Sequence, residues 1–267
     1  EEAVRQGVTA AFHFAVDTGM HRLGFMEEDI DSLLAALDRC RATVRVATIF
    51  THLCVSDDSS QDEFTRSQIA LFDRLSSRII SHLGYTVLRH AAASAAIVRF
   101  TEAHFDMCRL GLGMYGYGFE HNSNLEPVST LSTRIVQIRT LDAGQSVGYG
   151  RADVLCRKSR IATIPVGYAD GLDRHLSRGN GKFTVNGHKV PVIGNICMDM
   201  CMIDLTDKYG VDVGSEVEIF GKNNSINNMA AIAGTIPYEL TCAVSKRVPR
   251  TYIEDGRIID KELLLRM

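Results

Sequence analysis

The stretch Ser146-Val147-Gly148-Tyr149-Gly150 places one tyrosine between two glycines. Two more glycine-containing blocks follow it, Ile164-Pro165-Val166-Gly167-Tyr168-Ala169-Asp170-Gly171 and Gly194-Asn195-Ile196-Cys197-Met198-Asp199. A tyrosine flanked by glycines is by itself typical of a turn, because glycine adopts backbone conformations that other residues avoid. The order and spacing of the three blocks are therefore more informative than any one of them.

Length and composition indicate an ordinary globular protein. The 267 residues, 45% hydrophobic and 23% charged, suffice for one large or two medium domains with a substantial core. A net charge of −3 gives no sign of a nucleic-acid partner, and no apolar run approaches the ~18 residues of a membrane span. Seven scattered cysteines favour reduced core thiols over a disulfide framework or a zinc site. We therefore expect a cytoplasmic protein without metal, nucleic-acid or membrane contacts.

The first part of the chain alternates apolar runs with helical patterns. Strands are predicted at residues 10–16, 44–50, 85–88 and, briefly, near 107–109; helices are predicted at 30–37, from about 59 to 79, and at 94–100. This rhythm is typical of βα units with a parallel sheet. An eight-stranded βα barrel needs about twice the four or so units counted here. Residues 1–120 are therefore expected to form roughly half a barrel.

The pattern changes around residues 117–127, where Asn122-Ser123-Asn124 and Pro127 indicate a linker. Helical periodicity mostly disappears beyond it. Asn186-Gly187 predicts a two-residue hairpin turn, and the alternation of residues 216–219 predicts a half-buried strand. We expect residues 121–267 to form a β-rich domain with one short helix near residues 228–233.

The three glycine-containing blocks together resemble the C-terminal half of bacterial alanine racemases, which use pyridoxal 5′-phosphate (PLP). The similarity continues through Asp17-Thr18-Gly19-Met20-His21-Arg22 and Arg247-Val248-Pro249-Arg250 and covers nearly the whole chain. It implies an α/β plus all-β fold. About the last four βα units of a PLP-binding TIM-type barrel would occupy residues 1–120, and a β-rich C-terminal domain, residues 121–267, would carry the catalytic tyrosine. It also implies a homodimer that interconverts the L- and D-forms of alanine or serine and so supplies D-amino acids for peptidoglycan.

The resemblance assigns catalytic and substrate-binding roles to three residues. Racemisation removes the Cα proton from one face and returns a proton to the other, which two opposed bases do best, with PLP as the electron sink. Tyr149 matches one of the two bases; because a free tyrosine has a pKa of about 10, it needs a nearby cation. Arg22 would help there and near the substrate carboxylate. Met198 matches a backbone contact to that carboxylate and, with Tyr149, acts across the dimer interface in the family.

Six further positions match cofactor contacts of the family: His52, Ser94, Arg109, Gly111, Leu112 and Tyr168. Arg109 matches an arginine that faces the pyridine nitrogen; since arginine keeps its proton, it would leave that nitrogen unprotonated and favour racemisation over side reactions. Ser94, Gly111, the backbone around Leu112 and Tyr168 match phosphate contacts, and a phosphate site after the last strands is usual in βα barrels. His52 matches a histidine beside the cofactor ring.

The chain also departs from the family. The family's PLP lysine lies near the start of the barrel, but the first lysine here is Lys158, in the β-rich part. Ala15 replaces a lysine that supports Arg22 in many members, Ala93 replaces an asparagine, and Lys246 replaces a tyrosine that lines the substrate channel. Losing that tyrosine ring would widen the site toward serine or larger side chains, so Lys246 and Ala93 are possible specificity residues.

Three functional hypotheses stay open at this point. In the first, the chain is the C-terminal part of an alanine or serine racemase, and a lysine-bearing N-terminal half is missing from it. In the second, it is a non-catalytic PLP-binding or assembly module. In the third, it is another PLP barrel enzyme, such as a basic amino-acid decarboxylase, which the blocks around Tyr149 and Met198 disfavour. Open strand edges of a half-barrel further predict dimerisation or aggregation.

Overall fold

The computed structural model describes residues 2–117 and 125–263. These residues divide into two compact units, one containing the residues up to 114 and Leu125, the other residues 115–117 and 126–263. The linker predicted around residues 117–127 falls mostly on residues 118–124, which lie outside the described residues. Each unit has its own sheets and buried apolar residues.

The first unit alternates helices with the strands of a parallel sheet. Its elements are α1 (Glu2–Gln6), β1 (Ala10–Ala15), α2 (Ile30–Arg39), β2 (Val44–Phe50), α3 (Asp62–Leu83), β3 (Leu88–His90) and α4 (Ser94–Arg99). The strands lie in the order β1-β2-β3, and both neighbouring pairs are parallel. Parallel neighbours need a crossover connection, which α2 and α3 supply. The α/β character predicted for this part of the chain is confirmed.

The helices α2 and α3 pack one apolar face each against the sheet. The core that they share with the strands contains Val16, Ile30, Leu33, Leu34, Leu37, Val46, Ile49, Phe72, Leu75, Ile79, Val87 and Ala91. Burying one large aliphatic or aromatic side chain contributes about 1.5–3 kcal/mol. This face therefore holds α2 and α3 in place and orients the strand ends at which the candidate residues lie.

Three details of the first unit differ from the sequence predictions. The sequence predicts a buried first strand, but Phe12 on β1 is 43% exposed, and within the described residues β1 has a neighbouring strand on one side only. The third strand begins at Leu88, not at Tyr85, whose hydroxyl accepts a hydrogen bond from the N–H of Val46. Where a fourth strand is predicted, a single parallel bridge joins Ala93 to Arg109. Three strands and one bridge thus stand where about four βα units are predicted.

The second unit is mostly antiparallel sheet, so the β-rich prediction is confirmed. Its strands are β4 (Leu131–Arg134), β5 (Gln137–Leu141), β6 (Ser146–Val147), β7 (Asp153–Val154), β8 (Ser159–Ile164), β9 (Lys182–Val185), β10 (His188–Ile193), β11 (Cys201–Asp204), β12 (Glu216–Phe220), β13 (Arg250–Glu254) and β14 (Arg257–Glu262). Seven strands form one sheet in the order β4-β12-β9-β10-β11-β8-β5. The remaining four form two pairs, β6 with β7 and β13 with β14.

Local sequence signals predict several elements of the second unit correctly. Asn186 and Gly187 join β9 to β10 with φ angles of 45° and 78°, as the hairpin prediction requires. The sequence predicts one short helix near residues 228–233, but two are present, α5 (Ile226–Ala233) and α6 (Pro237–Ala243). Pro237 occupies the first turn of α6, where its missing N–H costs no helical hydrogen bond.

The seven cysteines lie in the described residues and are free thiols. Only Cys201 is buried, whereas Cys40, Cys108, Cys156 and Cys242 are exposed, so the predicted core placement is wrong for most of them. Among the helices of residues 2–117 and 125–263, none is long and apolar enough to cross a bilayer.

Candidate functional site

The guanidinium of Arg109 donates hydrogen bonds to a set of neutral acceptors. Nη1 donates to Nδ1 of His90 (2.8 Å) and to the His90 carbonyl (3.2 Å). Nη2 donates to the carbonyls of Thr51 (2.9 Å) and Ala91 (3.0 Å) and to Nδ1 of His52 (3.2 Å). Burial lowers the pKa of the guanidinium, yet arginine stays protonated at ordinary pH. Arg109 is thus a fixed cation whose contacts leave its charge uncompensated.

The two histidines that contact Arg109 are kept neutral. Burial, the Arg109 charge and His13 lower the pKa of His90 to about 4. Burial, Arg109 and Arg22 also lower the pKa of His52. Because arginine only donates, Nδ1 of each ring must accept, so the ring hydrogen lies on Nε2. His90 can then donate from Nε2 to Oγ1 of Thr48, 3.2 Å away.

Ser94 forms a small polar cluster with the backbone of Gly111 and Gly113, which closely follow Arg109 in the sequence. The buried Ser94 Oγ accepts from the N–H groups of Gly111 (2.8 Å) and Gly113 (3.2 Å). A hydroxyl that accepts twice keeps its own hydrogen to donate. The structure thus brings the predicted phosphate contacts Ser94, Gly111 and the buried Leu112 together, and adds Gly113. Ala93 precedes this cluster and, having no polar side chain, makes no capping hydrogen bond to α4.

Arg22 lies in an exposed loop that folds around Asp17. Oδ1 of Asp17 accepts from the N–H groups of Gly19 (2.9 Å) and His21 (3.0 Å). Burial acts to raise the pKa of this carboxyl, but the two backbone bonds and the His21 side chain outweigh it, and the pKa is lowered. The charge of Arg22 acts on His52, so the structure places the predicted substrate arginine within electrostatic range of the predicted cofactor site.

In the second unit, Tyr149 lies on a glycine-bounded turn. Gly148 and Gly150 have φ angles of 77° and 70°, which favour glycine at both positions. The Tyr149 carbonyl accepts from Nδ2 of Asn195 (3.0 Å), and the residue is 73% exposed. Tyr149 and Cys197 are among the residues that line a concave surface, which forms a pocket with a volume of about 540 Å³. The turn therefore presents the phenol to solvent from a fixed backbone.

Tyr168 and Met198 come from different blocks of the sequence, and the structure joins them. The N–H groups of Tyr168 and Ala169 donate to the carbonyls of Cys197 and Met198, both at 3.0 Å. Gly167 makes this approach possible, because a Cβ at that position would overlap both carbonyls. The side chains of Tyr168 and Met198 are exposed. Two blocks that are far apart in sequence thus form one surface.

Lys246 is exposed, and its neighbour Arg247 makes the contacts in this region. Nε of Arg247 donates to Oδ1 of Asp170 (2.7 Å), and Nη2 donates to Oδ1 of Asp199 (2.6 Å). The sequence predictions single out Lys246 and assign no role to the other three. The partners in these two pairs are 77 and 48 residues apart in the sequence, so no local sequence pattern predicts the contacts.

The candidate residues therefore fall into two groups. The first unit brings together His52 and Arg109, with Arg22 in electrostatic range, and separately Ser94, Gly111 and Leu112. The second unit brings together Tyr168 and Met198, with Tyr149 beside Cys197 on the concave surface. The expected effect of Arg22 on Tyr149 concerns residues of different units and stays a prediction.

Comparison with known proteins identifies relatives of both units. The family model "Alanine racemase, N-terminal domain" matches residues 1–118, and "Alanine racemase, C-terminal domain" matches residues 128–252. The chain is 40% identical to alanine racemase 1 of Clostridium acetobutylicum over 97% of this chain and 69% of that protein. It also resembles the solved alanine racemase of Bacillus anthracis with bound L-Ala-P, with a TM-score of 0.86 and 28% identity over 96% of this chain and 67% of that one. The solved alanine racemase of Bartonella henselae with covalently bound pyridoxal phosphate is also similar, with a TM-score of 0.81 and 29% identity over 91% of this chain and 66% of that one.

Proposed function

The chain belongs to the alanine racemase family, and on that premise we propose that it provides the cofactor pocket and one proton-transfer base of a PLP-dependent racemase that interconverts L- and D-alanine. The observation that carries the proposal is the environment of Arg109. A cation held by neutral acceptors is the partner that an unprotonated pyridine nitrogen needs. A structural arginine would instead be expected to pair with a carboxylate.

The polar groups of the first unit fit a phosphorylated pyridine ring. Arg109, whose Nη groups already donate to protein acceptors, offers the N–H of its Nε to the ring nitrogen, and neutral His52 contacts the same guanidinium. Ser94 offers its hydroxyl hydrogen to a phosphate, because its Oγ accepts from the N–H groups of Gly111 and Gly113 and is held in place by them. When bound, PLP supplies the electron sink that acidifies the Cα–H bond of an amino acid.

The second unit supplies the proton-transfer base and further contacts. We assign proton removal and return at one face of Cα to the Tyr149 hydroxyl, which the turn presents to solvent. Arg22 binds the substrate carboxylate and favours the phenolate of Tyr149 through its charge. The Met198 backbone binds the same carboxylate, and Tyr168 contacts the cofactor phosphate.

The position of the lysine that binds PLP determines which steps of the reaction these 267 residues can perform. Residues 1–157 contain no lysine, so none of them can form the Schiff base that the family's lysine makes with PLP. We propose that residues 1–120 correspond to about the last four βα units of the barrel and that residues 121–267 form the C-terminal domain. In this arrangement, the lysine belongs to the N-terminal half of the barrel, which lies outside these 267 residues. Two copies form a homodimer, in which Tyr149 and Met198 serve the partner's cofactor.

Two positions adjust the substrate range in this proposal. Lys246 is exposed and stands where the family has a tyrosine, and Ala93 stands where it has an asparagine. Smaller or more flexible side chains leave more room beside the substrate. We therefore include serine among the substrates.

A second candidate function is a PLP-binding module without turnover. The specific observation in its favour is the absence of lysine before Lys158. The two functions differ in whether this chain moves a proton at Cα, since both require PLP binding.

Deuterium incorporation at Cα tests the proposal without requiring the second base. The purified protein is incubated with PLP and L- or D-alanine in D₂O, and incorporation is followed by NMR against PLP alone. We expect incorporation above that blank, reduced at least ~100-fold in Tyr149→Phe because a positioned base is lost. Tyr209→Phe, which alters an 83% exposed tyrosine of the same unit, should retain it. PLP binding without incorporation would contradict the racemase proposal and support the binding module.

A further inference from the structure

Arg247 links two segments of the second unit through its side chain. Its guanidinium donates to Asp170 (2.7 Å) and to Asp199 (2.6 Å). Asp170 ends the single helical turn that begins at Tyr168, and Asp199 directly follows Met198. We use the name Arg247 bridge for Arg247 with these two carboxylates.

Asp170 is the buried part of the Arg247 bridge. Its side chain is 12% exposed, and Oδ2 accepts from the N–H of Gly167 (2.9 Å), which closes the turn on itself. Its backbone carbonyl accepts from the N–H of Ser245 (3.1 Å). Both carboxylates raise the pKa of Arg247 above its usual value, with the Asp170 hydrogen bond as the larger cause. The Asp170 carboxylate is therefore held by one main-chain N–H and by the Arg247 guanidinium.

The same two segments also share a pair of backbone hydrogen bonds. They run from Tyr168 to Cys197 and from Ala169 to Met198, and they are adjacent along both segments. Beyond the paired strands β8 and β11, whose last pair on this side is Ile164 with Cys201, these two adjacent bonds only weakly restrain rocking of the segments about the line that joins them. A side-chain link away from that line, such as the one from Asp170 to Asp199 through Arg247, restricts this motion.

We propose that Arg247 is a positioning residue that sets the spacing between Tyr168 and Met198. The inference rests on the proposed function, in which Tyr168 contacts the cofactor phosphate and Met198 the substrate carboxylate. Arginine suits this role because its planar fork reaches two carboxylates at once, whereas lysine is a single point charge. The spacing set by the Arg247 bridge thereby determines how well one molecule of substrate and the cofactor are held together.

Amide hydrogen exchange at Tyr168 and Ala169 measures this positioning without any turnover. We expect Arg247→Gln to speed exchange at both amides about fivefold, the factor that corresponds to loss of a partly exposed ion pair. Arg247→Lys should give a smaller increase, because it keeps the charge and loses the fork. The matched control is Arg157→Gln, which breaks an exposed arginine–aspartate pair with Asp207 in the same unit and should leave both amides unchanged.

Asp199→Asn tests whether faster amide exchange in Arg247→Gln comes only from general destabilisation of the fold. It weakens only the exposed end of the Arg247 bridge and keeps the Asp170 pair, so the thermal midpoint should stay near that of the unmodified protein. We expect faster exchange at the same two amides and a higher alanine concentration for half-maximal deuterium incorporation, with the maximal rate within about twofold.

Unchanged exchange at Tyr168 and Ala169 in both Arg247→Gln and Asp199→Asn would overturn the positioning role. An equal increase in Arg157→Gln would do the same, since it would reveal a general effect of losing surface charge pairs. Failure of the unmodified protein to incorporate deuterium would count against the proposed function alone, because the exchange experiment still decides whether the Arg247 bridge positions these segments.

Discussion

At the scale of single residues, the contacts around Arg109 depend on which ring nitrogens carry hydrogens. Arg109 can only donate, which forces Nδ1 of His52 and of His90 to accept and leaves both rings neutral. Protonating either ring would put a second positive charge beside the guanidinium and remove an acceptor from it. The geometry around Arg109 therefore requires neutral histidines, and the lowered pKa values follow from the same contacts.

This requirement predicts that His90 makes the protein less stable in acid. The folded-state pKa of about 4 lies below the ordinary value of about 6.5, so the unfolded chain binds more protons between these two pH values. Stability contributed by neutral His90 is complete above about pH 6.5 and is lost as the pH falls toward 4. His52 acts in the same direction. Thermal midpoints measured from pH 7 to pH 4 should therefore fall.

Substitution separates His90 from the other titrating groups. We expect His90→Gln to have a lower midpoint at pH 7 and a shallower decline toward pH 4 than the unmodified protein. His175→Gln, at an exposed histidine paired with Asp173, should keep the original decline. An unaltered decline in His90→Gln would show that other groups cause the acid sensitivity.

His90 also illustrates what sequence reasoning misses at this scale. Arg109 and His52 stand at positions that a family resemblance singles out. His90 gains its role from contacts with Arg109, 19 residues away, and Thr48, 42 residues away. A histidine at a strand end otherwise looks like an ordinary packing residue, and only the assembled sheet distinguishes the two.

At the scale of elements, local patterns predict what local interactions decide. The apolar spacing of α2 and the Asn-Gly turn between β9 and β10 are each contained within a few residues, and both are predicted correctly. The third strand is displaced because its limits depend on pairing: Leu88, Arg89 and His90 pair with Thr48, Ile49 and Phe50 of β2. The strand pattern of residues 85–88 does not reveal that register. The contact between the Tyr168 turn and the Met198 segment is non-local for the same reason.

This contact makes Gly167 a position in the second unit where we expect a methyl group to be poorly tolerated. Its φ of −145° is open to any residue, so the cost of Gly167→Ala is steric: the new Cβ would overlap the carbonyls of Cys197 and Met198. We expect a loss of about 2 kcal/mol or more in the free energy of unfolding, as for overpacked cores. Urea denaturation measures it.

Gly144→Ala is the matched control for that experiment. Gly144 has a φ of 85° and open space where a Cβ would be added, so alanine there meets backbone strain of about 1 kcal/mol without any overlap. The denaturation midpoints should therefore rank the unmodified protein first, Gly144→Ala second and Gly167→Ala last. The reverse order of the two variants would mean that the Tyr168 turn can move away from Met198 at little cost.

At the scale of the whole molecule, the sequence divides the chemistry between the two units. The residues up to 157 carry arginines and histidines but no lysine, and all seven lysines lie from Lys158 onward. This division is readable from the sequence, as is the change from α/β to β-rich structure. The number of parallel strands is not, because the short apolar run near residues 107–109 forms only a bridge in the folded unit.

The edge of the parallel sheet leads to a prediction about self-association. Within the described residues, β1 pairs with β2 only, and Phe12 on this edge strand is 43% exposed. An unpaired edge presents N–H and C=O groups that can pair with another chain. We expect the purified protein to sediment as a dimer or larger species at micromolar concentrations, with Phe12→Lys shifting the distribution toward smaller species.

The matched control is Phe64→Lys, which places the same charge at a similarly exposed phenylalanine of α3 and should leave the distribution unchanged. A stable monomer across the concentration range would mean that the β1 edge is protected within one chain, and an equal shift in both variants would assign the effect to net charge.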